Sequence, residues 1–496
     1  MGPRRRETED RLRRLSVLVA LPLLVMITAG VAQAATLRTG CQRSRPALAY
    51  RVGVRHPVKA AKAMMPCLAV VNERTSESAD VGVLRSGTVL YAPLVDNDYP
   101  APADDRGPAE IAASANGGTT WHNIVPGDTN HILDVPPWMS VDPHTQRIWF
   151  ATVLPDLCGA EISWSDDAGK TWQTNPLVGC PAMGSESVLE GSAPSGGAQP
   201  TGYAHVVYYC ANASDLSTSQ LFCYRSLDGG RSFASTASNP DPPPKPGCNT
   251  QHPARPGAVG KEGYLYFPVF QCGQLSMAVS HDEGATWHLI PIGTENVVDL
   301  YTTSVAVDAA GNVYLAWIQG SSGGGQSSPP AGGGPNPTTE AITGAGVPFL
   351  SVSRDHGAHW SAPVDVGPRQ VRNAQTIAIA ARGRGEVGIS YLANADGGKL
   401  LDGWLSQTAD ALTPHALWWA APANDPRTPL INSADSTSFG NRLFFNTDTF
   451  APNGELWGAF HCAFTAACPN QRIGVVGRLA PQPPARRHKH HRKAAH

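Results

Sequence analysis

Charge is scarce in this sequence, and neither sign dominates. Charged residues make up 16% of the 496, and 38 Lys and Arg against 40 Asp and Glu leave a formal net charge of −2. The body of the chain has no basic stripe with interleaved aromatic residues, which a nucleic-acid surface would need. The composition therefore excludes nucleic acid as the expected partner.

Zinc-type cysteine spacing is also missing. The sequence has ten cysteines but no C-x-x-C pair, and all ten lie after the N-terminal segment. This usage is typical of an exported protein with disulfide bonds, so we expect neither a metal nor a cofactor. Proximity in the chain predicts five local pairs, which are Cys41–Cys67, Cys158–Cys180, Cys210–Cys223, Cys248–Cys272 and Cys462–Cys468.

Both ends of the chain are expected to lie outside the folded domain. Six arginines precede an apolar run from Leu15 to Val31, which is followed by Ala32-Gln33-Ala34. This pattern predicts a secretory signal peptide over residues 1–34, with an uncleaved anchor as the alternative. After a folded domain over 35–480, residues 481–496 are expected to be a disordered, basic, His-rich tail that contacts an anionic cell envelope. We therefore expect a secreted or extracytoplasmic monomer with no membrane span after cleavage.

The sequence does contain an eight-residue motif, S-x-[DN]-x-G-x-[TSH]-[WF], in five copies at steps of 51 to 73 residues. The copies are Ser114–Trp121, Ser165–Trp172, Ser226–Phe233, Ser280–Trp287 and Ser353–Trp360. The acidic or amide side chain suits a turn because it accepts hydrogen bonds from nearby backbone NH groups, and the glycine permits a positive φ. The final aromatic ring is expected to pack into the core. Each copy thus predicts a structural turn.

This motif resembles the Asp-box repeat of bacterial neuraminidases. The resemblance implies an all-β fold, namely a single β-propeller of four-stranded antiparallel blades. It also implies that each copy is the turn between the third and fourth strands of a blade, on the face opposite the active site. A repeat period near 50 residues is independently typical of a propeller.

Hairpin signals predict seven blades. Alternating runs broken by turn residues recur seven times, beginning with Val81–Leu94 and ending with Leu443–Ala459. The sixth blade has a degenerate turn within Leu405–Thr413 in place of the motif. A segment between Ala47 and Asn72 is expected to supply the outer strand of the seventh blade, so that N- and C-terminal strands close the ring. Six blades, as in catalytic sialidases, is the alternative.

The residues that precede each inner strand are expected to converge on the propeller axis. The sialidase resemblance implies an arginine trio for a substrate carboxylate, a Tyr nucleophile activated by Glu, and an Asp acid/base. The corresponding residues here are Arg255, Arg369 and Arg442 for the trio, Tyr301 with Glu186, and Asp134. Further candidates for substrate binding are Trp138, Asp299 and Tyr99. The family's Phe/Tyr-Arg-Ile-Pro segment has no counterpart, and Tyr50-Arg51-Val-Gly is the nearest approach.

Three classes of function remain open from the sequence. Because the first arginine segment is missing, we favour a non-catalytic propeller that binds glycan or an extracellular protein at its funnel. An exo-glycosidase of the sialidase type is the first alternative. An extracytoplasmic assembly or stability factor is the second, since a propeller with these boxes also serves as a photosystem assembly factor. Fold alone does not choose among them.

Overall fold

The computed structural model describes residues 36–54, 58–60, 62–71, 79–94, 110–127, 138–153, 160–175, 183–215, 218–236, 250–251, 257–271, 274–293, 303–320, 346–432, 447–469 and 473–482. These residues form strands in seven antiparallel sheets, one for each blade. The predicted all-β, seven-bladed propeller is confirmed, and six blades is wrong. Over these same ranges no helix has the length and hydropathy needed to cross a membrane.

The first three blades follow the chain in order from inner to outer strand. The N-terminal segment provides three strands that join later blades, namely β1 (Gly40–Cys41), β2 (Leu48–Arg51) and β3 (Met64–Val70). Blade one contains β4 (Asp80–Val83), β5 (Val89–Leu94), β6 (Glu110–Ser114) and β7 (His122–Ile124). Blade two contains β8 (Trp138–Val141), β9 (Ile148–Val153), β10 (Ala160–Ser165) and β11 (Gln173–Asn175). Blade three contains β12 (Met183–Gly191), β13 (Val206–Asp215), β14 (Thr218–Ser226) and β15 (Ala234–Ser235).

The remaining blades keep this order, with additions at their edges. Blade four contains β16 (Thr250–Gln251), β17 (Ala258–Val259), β18 (Leu265–Gln271), β19 (Gln274–Ser280) and β20 (His288–Gly293), and both β16 and β17 pair with β18. Blade five contains β21 (Thr303–Val307), β22 (Val313–Gln319), β23 (Val347–Ser353) and β24 (Val364–Asp365). Blade six contains β25 (Arg372–Ala381), β26 (Val387–Asn394), β27 (Leu400–Thr408), β28 (Leu417–Pro422) and the short β29 (Ile431–Asn432). Blade seven contains β30 (Asp448–Phe450), β31 (Leu456–Cys462) and β32 (Ile473–Pro481).

The N-terminal segment joins the last two blades. Strand β1 pairs with β3, β2 pairs with β28 of blade six, and β3 pairs with β32 of blade seven. In the β3–β32 pair, Met64 lies opposite Pro481 and Val70 lies opposite Val475. The predicted closure by N- and C-terminal strands is therefore confirmed, and β2 of the same segment also adds a sixth strand to blade six.

The second strand of a blade is hydrophobic along its whole length because successive side chains pack alternately against the two neighbouring blades. On β22, Tyr314 and Ile318 pack in the core shared with blade six, whereas Leu315 and Trp317 pack in the core shared with blade four. Successive side chains of a strand point to opposite faces of the sheet, and both faces of a blade are covered by neighbours. The stacked blades thus bury a separate apolar layer at each interface.

The five motif copies form the turns between third and fourth strands. In the second copy, the Gly169 NH donates to Ser165 Oγ at 2.8 Å, and the Thr171 NH donates to Asp167 Oδ1 at 2.9 Å. Gly169 has φ +86°, and a Cβ there would lie 2.9 Å from Ile124 Cδ1 of blade one. The turn therefore needs glycine both for its backbone and for its approach to the preceding blade.

The aromatic ring that ends each motif packs at the interface with the preceding blade. The rings of Trp172, Phe233, Trp287 and Trp360 lie against the cores between blades one and two, two and three, three and four, and four and five. Trp121 lies against the core that includes blades seven and one. One ring per motif thus fills one gap between blades.

Three of the five predicted disulfides lie within the described residues and are confirmed. They are Cys41–Cys67, Cys210–Cys223 and Cys462–Cys468. The first joins β1 to β3, and the second joins β13 to β14, in each case between directly opposed residues. The predicted pairs Cys158–Cys180 and Cys248–Cys272 lie outside the described residues, as do the predicted signal peptide and most of the tail.

Candidate functional site

One face of the propeller carries the connections from each outer strand to the next inner strand. We call it the connection face; the motif turns lie on the opposite face. Six of the predicted site residues belong to segments outside the described residues, namely Tyr99, Asp134, Arg255, Asp299, Tyr301 and Arg442. The structure describes the other three, Trp138, Glu186 and Arg369.

Trp138 and Glu186 lie on neighbouring inner strands, β8 and β12. Trp138 is only 5% exposed, and its indole NH donates to the carbonyl oxygen of Val188 at 3.2 Å. Glu186 precedes Val188 by two residues and is fully buried, at an irregularity of register between Gly184 and Ser187. The structure thus brings these two predicted residues to the same blade interface, where the Trp138 ring is packed.

Arg369 lies at a different position on the connection face, between blades five and six. It follows β24 and is exposed, and its carbonyl oxygen accepts a hydrogen bond from Arg372 Nη1 at 2.6 Å. Within the described ranges its guanidinium forms no ion pair. Its side chain is therefore available to a ligand, but blades four and five separate it from Glu186 in blade three and from Trp138 in blade two.

A cluster of polar side chains on this face lies between blades six and seven. Asn424, fully buried after β28, accepts from the Gly403 NH at 3.0 Å through Oδ1. Its Nδ2 donates to Asp402 Oδ1 at 2.6 Å and to the Thr428 carbonyl oxygen at 3.1 Å. Because both ends of this amide are occupied, Asn424 fixes the connection against β27.

Asp402 has a buried carboxyl group and lies near the first residue of β27, at the end of the strand that faces this connection. It is 7% exposed. Burial raises its pKa to about 6, and the negative charges of Asp396 and Asp425 act in the same direction, whereas the Asn424 hydrogen bond opposes them. Burial therefore favours the protonated, neutral form of this carboxyl.

Asp425 is surrounded by three guanidinium groups, which we call the arginine cluster: Arg38, Arg45 and Arg427. Arg427 contacts both carboxylate oxygens, with Nη2 2.6 Å from Oδ2 and Nε 3.1 Å from Oδ1. Arg38 and Arg45 each place Nη1 3.6 Å from the same carboxylate. Hydrogen bonds from Arg427 are the main reason that the pKa of Asp425 falls to about 2. The site therefore holds three positive charges against one firmly ionised carboxylate.

The guanidinium groups of the cluster remain open to solvent. Their side chains are 67%, 54% and 63% exposed for Arg38, Arg45 and Arg427, while that of Asp425 is buried. Each planar guanidinium has five NH donors, so one shared carboxylate leaves most of them free for another anion. In the part of the chain that the structure describes, no group of His, Cys, Asp and Glu side chains could hold a metal ion.

Sequence reasoning missed this site because its two halves are far apart in the chain. Asn424-Asp425-Pro426-Arg427 is visible as a polar turn after an outer strand, and Asp425 Oδ1 accepts from the Arg427 NH at 3.1 Å. Arg38 and Arg45 reach it only because the N-terminal segment crosses from blade seven to blade six. Gln42 holds that crossing in place by donating from Nε2 to the Ala423 carbonyl oxygen at 2.9 Å.

No family model matches this chain, and no curated protein sequence matches it significantly. Among solved structures it is similar to a protein of unknown function from Dyadobacter fermentans, with 12% identity, a TM-score of 0.40, and 85% and 98% of the two chains covered. It is also similar to the Aleuria aurantia lectin, with 12% identity, a TM-score of 0.41, and 72% and 99% covered. A third similar structure is an intramolecular trans-sialidase from Ruminococcus gnavus, with 14% identity, a TM-score of 0.39, and 84% and 97% of the two chains covered. Likeness at this level carries no argument about function.

Proposed function

We propose that this protein is an extracytoplasmic binding propeller that recognises an acidic glycan on its connection face and does not cleave it. The arginine cluster carries this proposal. Three guanidiniums converge on one carboxylate and keep an excess of positive charge at a solvent-open position. A guanidinium fork binds carboxylate or sulfate oxygens in a bidentate manner, so the chemistry suits a polymer of uronic acid or sulfated sugar.

The solvent exposure of the arginine cluster determines how strongly it should bind an anionic glycan and how that binding should respond to salt. Charge pairs at the surface are weak singly and are screened over about 8–10 Å at physiological ionic strength. Useful affinity would therefore come from several guanidiniums acting together on a repeating anionic ligand, together with Arg369 on the same face. The disulfides support an oxidising compartment, where such glycans occur.

A binding experiment with matched polymers tests the proposal. Purified protein would be titrated with polygalacturonate, dextran sulfate and neutral dextran at 50 and 300 mM NaCl. We expect binding to at least one of the two acidic polymers, weakening with salt, and none to dextran. Arg38→Gln with Arg45→Gln should weaken binding about tenfold or more while preserving the Arg427–Asp425 pair.

The control is Arg231→Gln, an exposed arginine on the opposite face whose Nη1 donates to the Asp228 carbonyl oxygen. It should bind as the unmodified protein does. Absence of binding to both acidic polymers, or equal binding by the double variant and the unmodified protein, would refute the assignment of the arginine cluster. Arg369→Gln tests the predicted contribution of that residue separately.

Glycoside hydrolysis is the second candidate, and one observation favours it. Asp402 and Asp425 flank Asn424, and their environments move their pKa values apart, to about 6 and about 2. A proton donor beside an ionised carboxylate is the arrangement that glycosidases use. We expect no release of fluorophore from a simple fluorogenic sialoside. Saturable release that disappears in Asp402→Asn or in Tyr301→Phe would instead establish hydrolysis.

A further inference from the structure

The gap between blades five and six differs from the gaps that the motif rings fill. Its core combines Tyr314, Ile318 and Leu350 of blade five with Ile389, Tyr391 and Trp418 of blade six. At the five motif-bearing interfaces, the ring of a Trp or Phe packs against the corresponding core. No ring from a motif is present here, because blade six has the degenerate turn. The Tyr50 ring of β2 packs against this core instead, and its hydroxyl donates to the Val366 carbonyl oxygen at 2.6 Å.

The degenerate turn keeps the first half of the motif geometry and loses the second. Thr408 Oγ1 donates to Asp410 Oδ1 at 2.7 Å, as Ser165 Oγ does to Asp167 Oδ1 at 2.8 Å. His415 occupies the position of the aromatic residue, but its Nδ1 lies 3.1 Å from the Val52 carbonyl oxygen beyond β2. The imidazole is thus held by the N-terminal segment.

A cavity of about 230 Å³ lies at this interface. Its walls are mainly apolar and come from blade five through Val352, Val364 and Val366, and from blade six through Ala416 and Trp418. An apolar cavity of about 150 Å³ is already enough to bind benzene. The volume and the lining therefore suit one aromatic ring.

A charged side chain in the cavity lining indicates what such a ring should carry. Arg354 is exposed, donates to the Leu412 carbonyl oxygen, and forms no ion pair within the described residues. A guanidinium favours a carboxylate.

We propose that this cavity is a binding site for a small aromatic carboxylate. The ring enters the space between blades five and six, and the carboxylate contacts the Arg354 guanidinium. Val364, which is 38% exposed, lies at the edge where such a molecule would enter. This site is on a different interface from the arginine cluster, so it stands independently of the proposed function.

The test compares indole-3-acetate with indole, which has the same ring but no carboxylate. Both would be titrated into the full protein, with calorimetry for affinity and ¹⁹F NMR of 5-fluorotryptophan-labelled protein to follow Trp418, assigned through Trp418→Phe. We expect indole-3-acetate to bind at least fivefold more tightly than indole and to shift the Trp418 resonance. Arg354→Gln should remove that preference and leave indole binding unchanged.

Val364→Glu should weaken binding of both compounds at least tenfold, because it places a charge at the apolar entrance. The matched control is Val125→Glu, a substitution of an exposed valine in blade one, where Val125 is 47% exposed. Melting temperatures of both variants equal to that of the unmodified protein would show that folding is unaffected. The proposal is overturned if neither compound shifts Trp418, if Val364→Glu binds as tightly as Val125→Glu, or if Arg354→Gln keeps the full preference for the acid.

Discussion

Replacing Asp402 by asparagine should stabilise the fold at neutral and alkaline pH. The ordinary pKa of this carboxyl is 3.8, and burial raises it to about 6 in the folded state. The folded protein therefore holds the proton more tightly than the unfolded chain, so the contribution of this carboxyl to stability is fully present below about pH 4 and declines as pH rises through 6. At 1.36 kcal/mol per pH unit, the decline reaches about 3 kcal/mol by pH 8.

With asparagine at this position, the side chain would be neutral at every pH, and its amide oxygen could still accept the hydrogen bond from Asn424. Urea unfolding of Asp402→Asn at pH 8 and pH 4.5 should show a gain in unfolding free energy of about 3 and about 1 kcal/mol, respectively, relative to the unmodified protein. The exposed Asp396→Asn should change either value by less than about 0.5 kcal/mol. A gain of the same size at both pH values, or a loss at pH 8, would show that Asp402 is not a carboxyl destabilised by burial.

Three other substitutions test how the blades are held. Gly169→Val should destabilise the fold by about 3–4 kcal/mol because φ strain adds to the clash with Ile124. The control Gly196→Val, at φ +78° with open space around it, should cost only about 1–2 kcal/mol. Equal melting of Gly169→Val and the unmodified protein would contradict a structural role for this turn. Cys210→Ser with Cys223→Ser should lower the unfolding free energy by about 3 kcal/mol, and free thiols at both positions in the exported protein would contradict the disulfide. Thr447→Val should lower the unfolding free energy by about 1–3 kcal/mol because Thr447 Oγ1 accepts from the Val81 NH at 2.8 Å between blades seven and one. Thr449→Val, measured in the same thermal melts, should cost less. A larger loss for Thr449→Val than for Thr447→Val would contradict the stabilising role of this hydrogen bond.

The architecture could be predicted from the sequence because the same local pattern recurs in several blades. Each motif places an aspartate or asparagine, a glycine and an aromatic residue at fixed offsets, and each offset corresponds to one local hydrogen bond or one packed ring. Seven hairpins could be counted in the same way. Ring closure was also predictable, because blade seven had no outer strand left and the segment before blade one could supply it, whereas the pairing of β2 with blade six was not predicted.

The candidate site could be predicted far less well, for a physical reason. The positions of Glu186 and Trp138 on inner strands could be predicted because the repeats indicate where those strands lie, while their roles in a site stay predictions. Arg38, Arg45 and Asp425 meet through a crossing of the N-terminal segment that occurs once and has no repeat to reveal it. The pKa of Asp402 likewise depends on burial by residues from other parts of the chain, which no local pattern encodes.

The strand pairing that closes the ring has a consequence for how the protein is made. Strand β3 is synthesised before the strands of all seven blades, whereas its partner β32 follows every other described strand. Until then, β3 and the first motif-bearing blade each keep an unpaired or uncovered edge, and such edges associate readily with other chains. We therefore expect the slowest productive step of folding to be the arrival of β32, and the yield of native protein to fall with concentration while that step is pending. A chain that lost its last strand would retain six blades and an open ring.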